Sequence, residues 1–481
     1  MPPQKHRPSW QVILLLLIIL ILLLTLGIVC YRCKCPKHCT NCKTDTIPWV
    51  SWNIQFNNDA SSITRAQVTE QVIDSLLKYL VANGIDTLEV RPLVRPHFCP
   101  CDTTLVNVDI ALINESGNPV TPPGPVTTTT PKTVGAGGSV YASAPNTPIT
   151  IPEFHNAGHL PDPTLTPPDS IKNFKVFQPN SGLVLAVIDT GLDSIAVKNT
   201  LKMTKLPLVW RDPSAKPTLY NFLVDADPSQ MKDDETSFMH GTSVTYISLL
   251  AGSANYPRIM ALKALDSLGR GSVFTVSCAM SYALQNKVNM INASLGYSGN
   301  EDTILRRYFK RADSMKIPVI VAAGNDTSRD HNDSLLCQDI INHSDSLDKS
   351  NPFYPAFFSE QMHNVISVTG VNSDTLPCYY QNFSRRHIDI GVWILATSKR
   401  SAVSCCSFFI PYLKGGEYVE GSSFSTPIVS GTLMNILANE PATGNGSPPT
   451  FDPKDWLNLH APKAKTLQPY VRSGKFIPYS Y

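Results

Sequence analysis

Charge of one sign is what this chain most obviously lacks. Its 40 lysines and arginines face 38 aspartates and glutamates, leaving a formal net charge of +2 and no electrostatic reason to expect a nucleic-acid partner. A phosphate-cradling glycine loop is missing too, because the glycines of "GAGGSV" follow no strand and open no helix. The apolar run at 12–29 is followed by no small-x-small cleavage site, and Gly27-Ile28-Val29 before Cys30 make no lipoprotein box. A removable leader is therefore disfavoured. Proline, by contrast, is abundant: 39 of 481 residues, about 8% against roughly 5% on average.

The run 12–29 carries no charge over ~18 residues, just enough to cross a bilayer core, and reads as a single-pass anchor. Lys5 and Arg7 precede it, while Arg32, Lys34, Lys37 and Lys43 follow. The positive-inside rule leans towards a cytoplasmic C-terminal side, although large domains translocate regardless of flanking charge. Cys30, Cys33, Cys35, Cys39 and Cys42 crowd the segment 30–48. Their two C-x-x-C pairs admit zinc, disulfides or acylation, and the loop between the pairs is short for a zinc ribbon.

Beyond the 1–11 flank, the anchor and the cysteine-rich stretch, a small α/β domain is expected at 49–115. "VSWNIQF", "TLEVRPL" and "TLVNVDIAL" read as strands, and 62–84 as an amphipathic helix stopped by Gly84. The prolines then gather at 116–170, which reads as an extended, solvated linker. From there to 460 the apolar runs "LVLAVID", "RIMALKALD", "VNMINASLG", "IPVIVAAGN" and "NVISVTGV" alternate with helical stretches, leaving 461–481 as a tail. That alternation predicts a parallel β-sheet flanked by helices on both faces, with its ligand site at the carboxyl ends of the strands.

Four polar residues fall at such functional ends. Asp189 closes "VLAVID", Asn325 follows Gly324 after "VIVAAG", and His240 starts the helix "HGTSVTYISLLAG". Ser423 lies in "EGSSFSTPIVSG", where Pro427 is tolerable only in the first turn of the helix behind it. The other three serines of that stretch, Ser422, Ser425 and Ser430, read as bystanders. Helix N-termini offer free N–H groups to a developing negative charge. Singly, each of the four residues reads as a cap or a structural group; the ordered set points to chemistry.

"VIDTGLD", "HGTSV", "INASLG", "VAAGN" and "GSSFSTPIVSG" resemble the subtilisin-like serine peptidases (subtilases) over residues 180 to 460. The order aspartate, histidine, serine is the subtilisin order, and the esterase elbow G-x-S-x-G is absent. The resemblance implies that Ser423 attacks the scissile carbonyl, His240 moves its proton, Asp189 orients His240, and Asn325 donates to the oxyanion. It also implies two extended clamps for the substrate main chain, Ser294-Leu295-Gly296 and the segment around Gly269 and Gly271. Ala322, Ala323 and Gly324 would line a roomy pocket for the residue before the cleaved bond. Ser422, Phe424 and Ser243 stand where threonine, methionine and histidine are more usual, and none of these changes removes a catalytic atom.

The helix-to-strand connection after His240 is shorter than in calcium-binding subtilases, so the tight calcium site is expected to be absent; weak sites are left open. No metal or cofactor is assigned, since the insertion after Asn325, with His331 and His343, shows no ligand spacing. The segment 49–115 stands where the family carries its inhibitory propeptide. The expectation is thus a membrane-tethered serine endopeptidase with an extracytoplasmic catalytic domain. Its partners would be protein or peptide substrates and a lipid bilayer, with no oligomeric state implied. A catalytically silent binding protein on the same scaffold is the alternative.

Overall fold

A computed structural model describes residues 50–56, 90–114, 140–152, 178–201, 208–213, 218–234, 239–252, 255–325, 347–372, 375–378, 381–394, 407–410, 417–439 and 452–479. The membrane-anchor reading at 12–29, the cysteine-rich stretch, the helix at 62–84, the insertion with His331 and His343 and the Cys405-Cys406 pair lie outside them. Among the described residues no helix is long and apolar enough to cross a membrane. The chain divides into two compact units, the first made of 1–147 with 302–304 and the second of 148–301 with 305–481.

The first unit holds a four-stranded antiparallel sheet. Its strands β1 (Val50–Phe56), β2 (Val90–Phe98), β3 (Leu105–Asn114) and β4 (Val140–Pro145) lie in the order β2-β3-β1-β4. Leu105, Val106, Val108 and Ile110 of central β3 are buried, as is Ile54 of β1. Strand β2 runs five residues past the expected "TLEVRPL", through Pro92 and Pro96. As an edge strand it can leave positions without a ladder N–H, which is where proline is tolerated. Strand β4 falls inside the expected linker 116–170, so that stretch is not uniformly extended and solvated. Backbone pairing with β1 supplies its order, and periodic side chains are not required for that.

The second unit is built on seven parallel strands. These are β6 (Gln178–Asp189), β7 (Asn255–Lys263), β9 (Met290–Ala293), β11 (Val319–Ala322), β13 (Val365–Val371), β14 (Ile390–Ile394) and β17 (Phe476–Tyr479). Their order is β17-β14-β13-β11-β9-β6-β7. Short strands complete the unit: β5 (Pro148–Thr150) with β8 (Arg270–Ser272), β10 (Tyr297–Ser298) with β12 (Phe353–Tyr354), and β15 (Ser407–Ile410) with β16 (Glu417–Glu420). The apolar run Val184–Ile188 of β6 is buried throughout, as a strand covered on both faces requires.

Six helices are found among the described residues: α1 (Ser194–Thr200), α2 (His240–Ala251), α3 (Val273–Gln285), α4 (Thr303–Ser314), α5 (Ser422–Asn439) and α6 (Pro453–His460). Helix α4 shows the amphipathic solution, burying Ile304, Leu305, Tyr308, Phe309 and Ala312. Helices α2 and α5 instead pack on each other and are buried nearly all round, so His240 and Ser422 through Gly431 have almost no contact with water.

The sheet order also fixes where a site can form. From β6 the chain moves to β7 on one side, then crosses back to β9 on the other and continues through β11 and β13. The carboxyl ends of β6, β9 and β11 therefore flank the point where the strand order reverses, the usual crevice of open parallel sheets. They carry Asp189, Ser294 and Asn325.

Candidate active site

Asp189, last residue of β6, and His240, first residue of α2, are each 0% exposed. His240 Nδ1 lies 2.7 Å from Asp189 Oδ1, which also accepts the Thr190 N–H at 2.8 Å. A carboxylate on Nδ1 holds the proton there and leaves Nε2 as the basic ring nitrogen. Gly241 lets this approach happen: a Cβ on it would lie 2.4 Å from the Gly191 carbonyl oxygen.

A second buried carboxylate, which no motif marks, ties the two loops together. Asp233 Oδ1 accepts the Thr190 hydroxyl at 2.9 Å, and Oδ2 accepts the N–H and hydroxyl of Thr242 at 2.8 and 2.7 Å. The Thr190 hydroxyl in turn accepts the Gly241 N–H at 2.8 Å. Desolvation raises the Asp233 carboxyl above its ordinary value, against the hydrogen bonds from Thr242 that lower it. Its only sequence signal is an acidic residue shortly before "HGT", indistinguishable from the other aspartates of "DADPSQMKDDE".

Ser423 is the second residue of α5. Its neighbour Phe424 places its ring centroid 5.2 Å from that of His240. The Ser423 hydroxyl donates to the Ser294 carbonyl at 3.3 Å, and the Ser294 hydroxyl donates to the Ser423 carbonyl at 2.9 Å. That second bond accounts for a difference from expectation. Helix α5 begins at Ser422, five residues before Pro427, so the proline lies beyond the first turn. Having no N–H, Pro427 cannot serve the Ser423 carbonyl four residues earlier; Ser294 serves it instead.

Asn325 is anchored through its carboxamide oxygen, which accepts both the N–H and the hydroxyl of Ser422 at 3.0 Å. The Ser422 hydroxyl also exchanges 3.1 Å bonds with the backbone of Gly324. Ser422, expected to be a bystander, thus fixes Asn325. Ser430, expected to be another, donates to Asn292 at 2.8 Å and braces the same strand ends.

The expected main-chain clamps are joined by the chain itself. Strand β5 pairs antiparallel with β8, setting Ile149 opposite Gly271 and Thr150 opposite Arg270. The Ile151 N–H donates to the Gly269 carbonyl at 3.0 Å, and Thr150 and Gly296 exchange bonds of 3.0 and 2.9 Å. An extended segment therefore lies between Gly269–Gly271 and Gly296, with Ile149 fully buried. Ala322, Ala323 and Leu295 are buried around the strand ends. Beside Gly296 and Gly324 stands Phe353, whose ring would meet a Cβ on either glycine at 2.4 and 2.9 Å. That ring occupies the space opened by those small residues, and no local pattern in the sequence could have placed it there.

A parallel sheet thus carries an aspartate–histidine pair and a helix-borne serine at its switch point. The model of the subtilase family matches residues 180–465, more than half the chain, and the chain belongs to that family. It is 28% identical to subtilisin E of Bacillus subtilis (strain 168) over 227 residues, 45% of this chain and 50% of the relative. It is 26% identical to a thermophilic serine proteinase of Bacillus sp. (strain AK1) over 272 residues, 54% of this chain and 53% of that one. Against an intracellular serine protease of Paenibacillus polymyxa the identity is 28% over 278 residues, 54% and 68% of the two chains. The chain spans about half the length of most curated relatives it matches.

Proposed function

We propose that this chain is a serine endopeptidase of the subtilisin type. The observation that carries the reading is the buried Asp189–His240 bond of 2.7 Å beside the start of the helix bearing Ser423. In the proposed cycle the Ser423 hydroxyl leaves the Ser294 carbonyl and gives its proton to His240 Nε2 as its oxygen attacks the scissile carbonyl. Asp189 keeps the imidazole in the competent tautomer and stabilises the cation that forms. The Asn325 amide and the Ser423 N–H donate to the oxyanion. Loss of such an asparagine costs ~10²–10³ in turnover, a magnitude that comes from a subtilisin itself and is carried over to this chain. His240 then protonates the leaving amine, and water repeats the sequence on the acyl enzyme.

Strand β5 supports main-chain recognition of a protein or peptide substrate, since an extended segment already bonds to both clamps. On this reading the chain's own residues take the place of a substrate, which fits a propeptide-like role for the region before them. Cys278 and Cys378 are each engaged in a disulfide, which fits an extracytoplasmic catalytic unit, held at the membrane by 12–29.

The test is labelling by a fluorophosphonate together with peptide cleavage, with Ser423→Ala as the blank. Ser423-dependent labelling and cleavage are expected. A processed protein that takes no label and cuts no peptide would instead be the silent binding protein. Blotting of wild type beside Ser423→Ala tests self-processing: a mature fragment persisting in the mutant rules it out.

A further inference from the structure

Resting on the endopeptidase reading, we propose that Phe353 sets substrate specificity: its ring closes the pocket between Gly296 and Gly324 and restricts the residue before the cleaved bond to glycine, alanine, serine or proline. Phe353 belongs to β12 and pairs with Ser298 of β10. It is only 7% exposed. An ideal Cβ on Gly296 would meet two of its ring carbons at 2.4 Å, and one on Gly324 would meet two at 2.9 Å. Normal carbon contacts are about 3.5–4.0 Å, so the ring rests directly on both glycine backbones.

These two glycines belong to the substrate side of the molecule. Gly296 exchanges backbone bonds with Thr150 of the strand lying in the cleft, and Gly324 precedes Asn325. A side chain projecting from that strand towards Gly324 therefore meets the Phe353 ring before it can extend. Pro152, the compact residue that ends the described part of the segment, is buried.

The strand that carries the ring and the wall it faces are both held. Next to Phe353, the Tyr354 ring packs on Tyr297, Phe357 and Phe358 with centroids 5.7, 5.7 and 5.0 Å away. At Gly324 itself, Asn382 donates its backbone N–H to the Gly324 carbonyl at 2.9 Å and its amide to the Ala323 carbonyl at 3.0 Å. A phenylalanine, leucine or lysine in the substrate would have to displace a buried ring that rests on both glycine backbones, and overpacking of that kind is unfavourable.

The experiment compares kcat/KM of the processed protein for tetrapeptide anilides differing only in the last residue, with Ser423 occupancy counted by fluorophosphonate label. Alanine or proline is expected to exceed phenylalanine, leucine and lysine by at least ~10-fold. Phe353→Ala should raise the phenylalanine-to-alanine ratio by ~10-fold or more, with Phe353→Leu between. A labelled wild type that prefers phenylalanine or leucine overturns the proposal, as do two labelled variants that keep the wild-type ratio. Absence of both label and hydrolysis overturns the endopeptidase reading itself and takes this proposal with it.

Discussion

Ser422 and Asp233 share a position one step back from the proposed chemistry, and each has a testable consequence. Replacing Ser422 by alanine removes the hydroxyl bond to Asn325 but leaves the N–H bond, so Asn325 stays near its place with a looser aim. A drop in kcat of about tenfold at nearly constant KM is expected, with threonine restoring most of it; steady-state kinetics on a peptide anilide decide this. Asp233→Ala strands donors on Thr190 and Thr242, each costing about 1–3 kcal/mol, and should lower stability by that order in urea titrations. The raised Asp233 carboxyl also has a definite sign. The folded state holds that proton more tightly than the unfolded chain, so its contribution to stability declines as pH rises from the ordinary value of 3.8 to the raised folded value. Asp233→Asn removes this ionisation. Its stability relative to wild type should therefore increase across that window, and a flat difference would contradict the assignment.

At the scale of elements, helix α5 and strand β5 carry the interest. Helix α5 keeps a proline in its second turn because the carbonyl that proline leaves unserved is taken by Ser294, just past the end of β9. Ser294→Ala should consequently destabilise the fold by about 1–3 kcal/mol, since it orphans a buried carbonyl; a stability equal to wild type would show the carbonyl to be satisfied otherwise. Strand β5 holds Ile149 without exposure against the β8 clamp. Ile149→Asp puts a carboxylate in an apolar site, at a cost of several kcal/mol unless the segment leaves it. Fluorophosphonate labelling of Ser423 in the unprocessed chain should then speed up several-fold, and an unchanged rate would mean that the strand does not restrict access.

For the molecule as a whole, the absence of a tight calcium site is a proposal drawn from the short connection after α2. Exhaustive dialysis against a chelator is expected to leave the melting midpoint unchanged. A site saturated at about 1,000 times its dissociation constant would supply about 4 kcal/mol, and its loss would lower the midpoint by several degrees. The parallel sheet was legible because strands buried on both faces must be written as unbroken apolar runs, as in "LVLAVID" and "VIVA". Helices α2, α3, α4 and α5 were legible from their flanking polar starts and apolar spacing. The strands β4 and β5 were not, because their order comes from backbone partners far along the chain and leaves little trace in side-chain pattern. By itself the sequence determined which residue types stand at the strand ends and helix starts: Asp189, His240, Asn325 and Ser423 are legible because the proposed chemistry needs those groups beside those glycines. Only the tertiary structure decided that Ser422 would aim Asn325, that Asp233 would lock the Thr190 and Thr242 loops, and that Phe353 would fill the space between Gly296 and Gly324. Each of those depends on a contact between segments distant in the chain, and contact across such distances is set by packing rather than by local pattern.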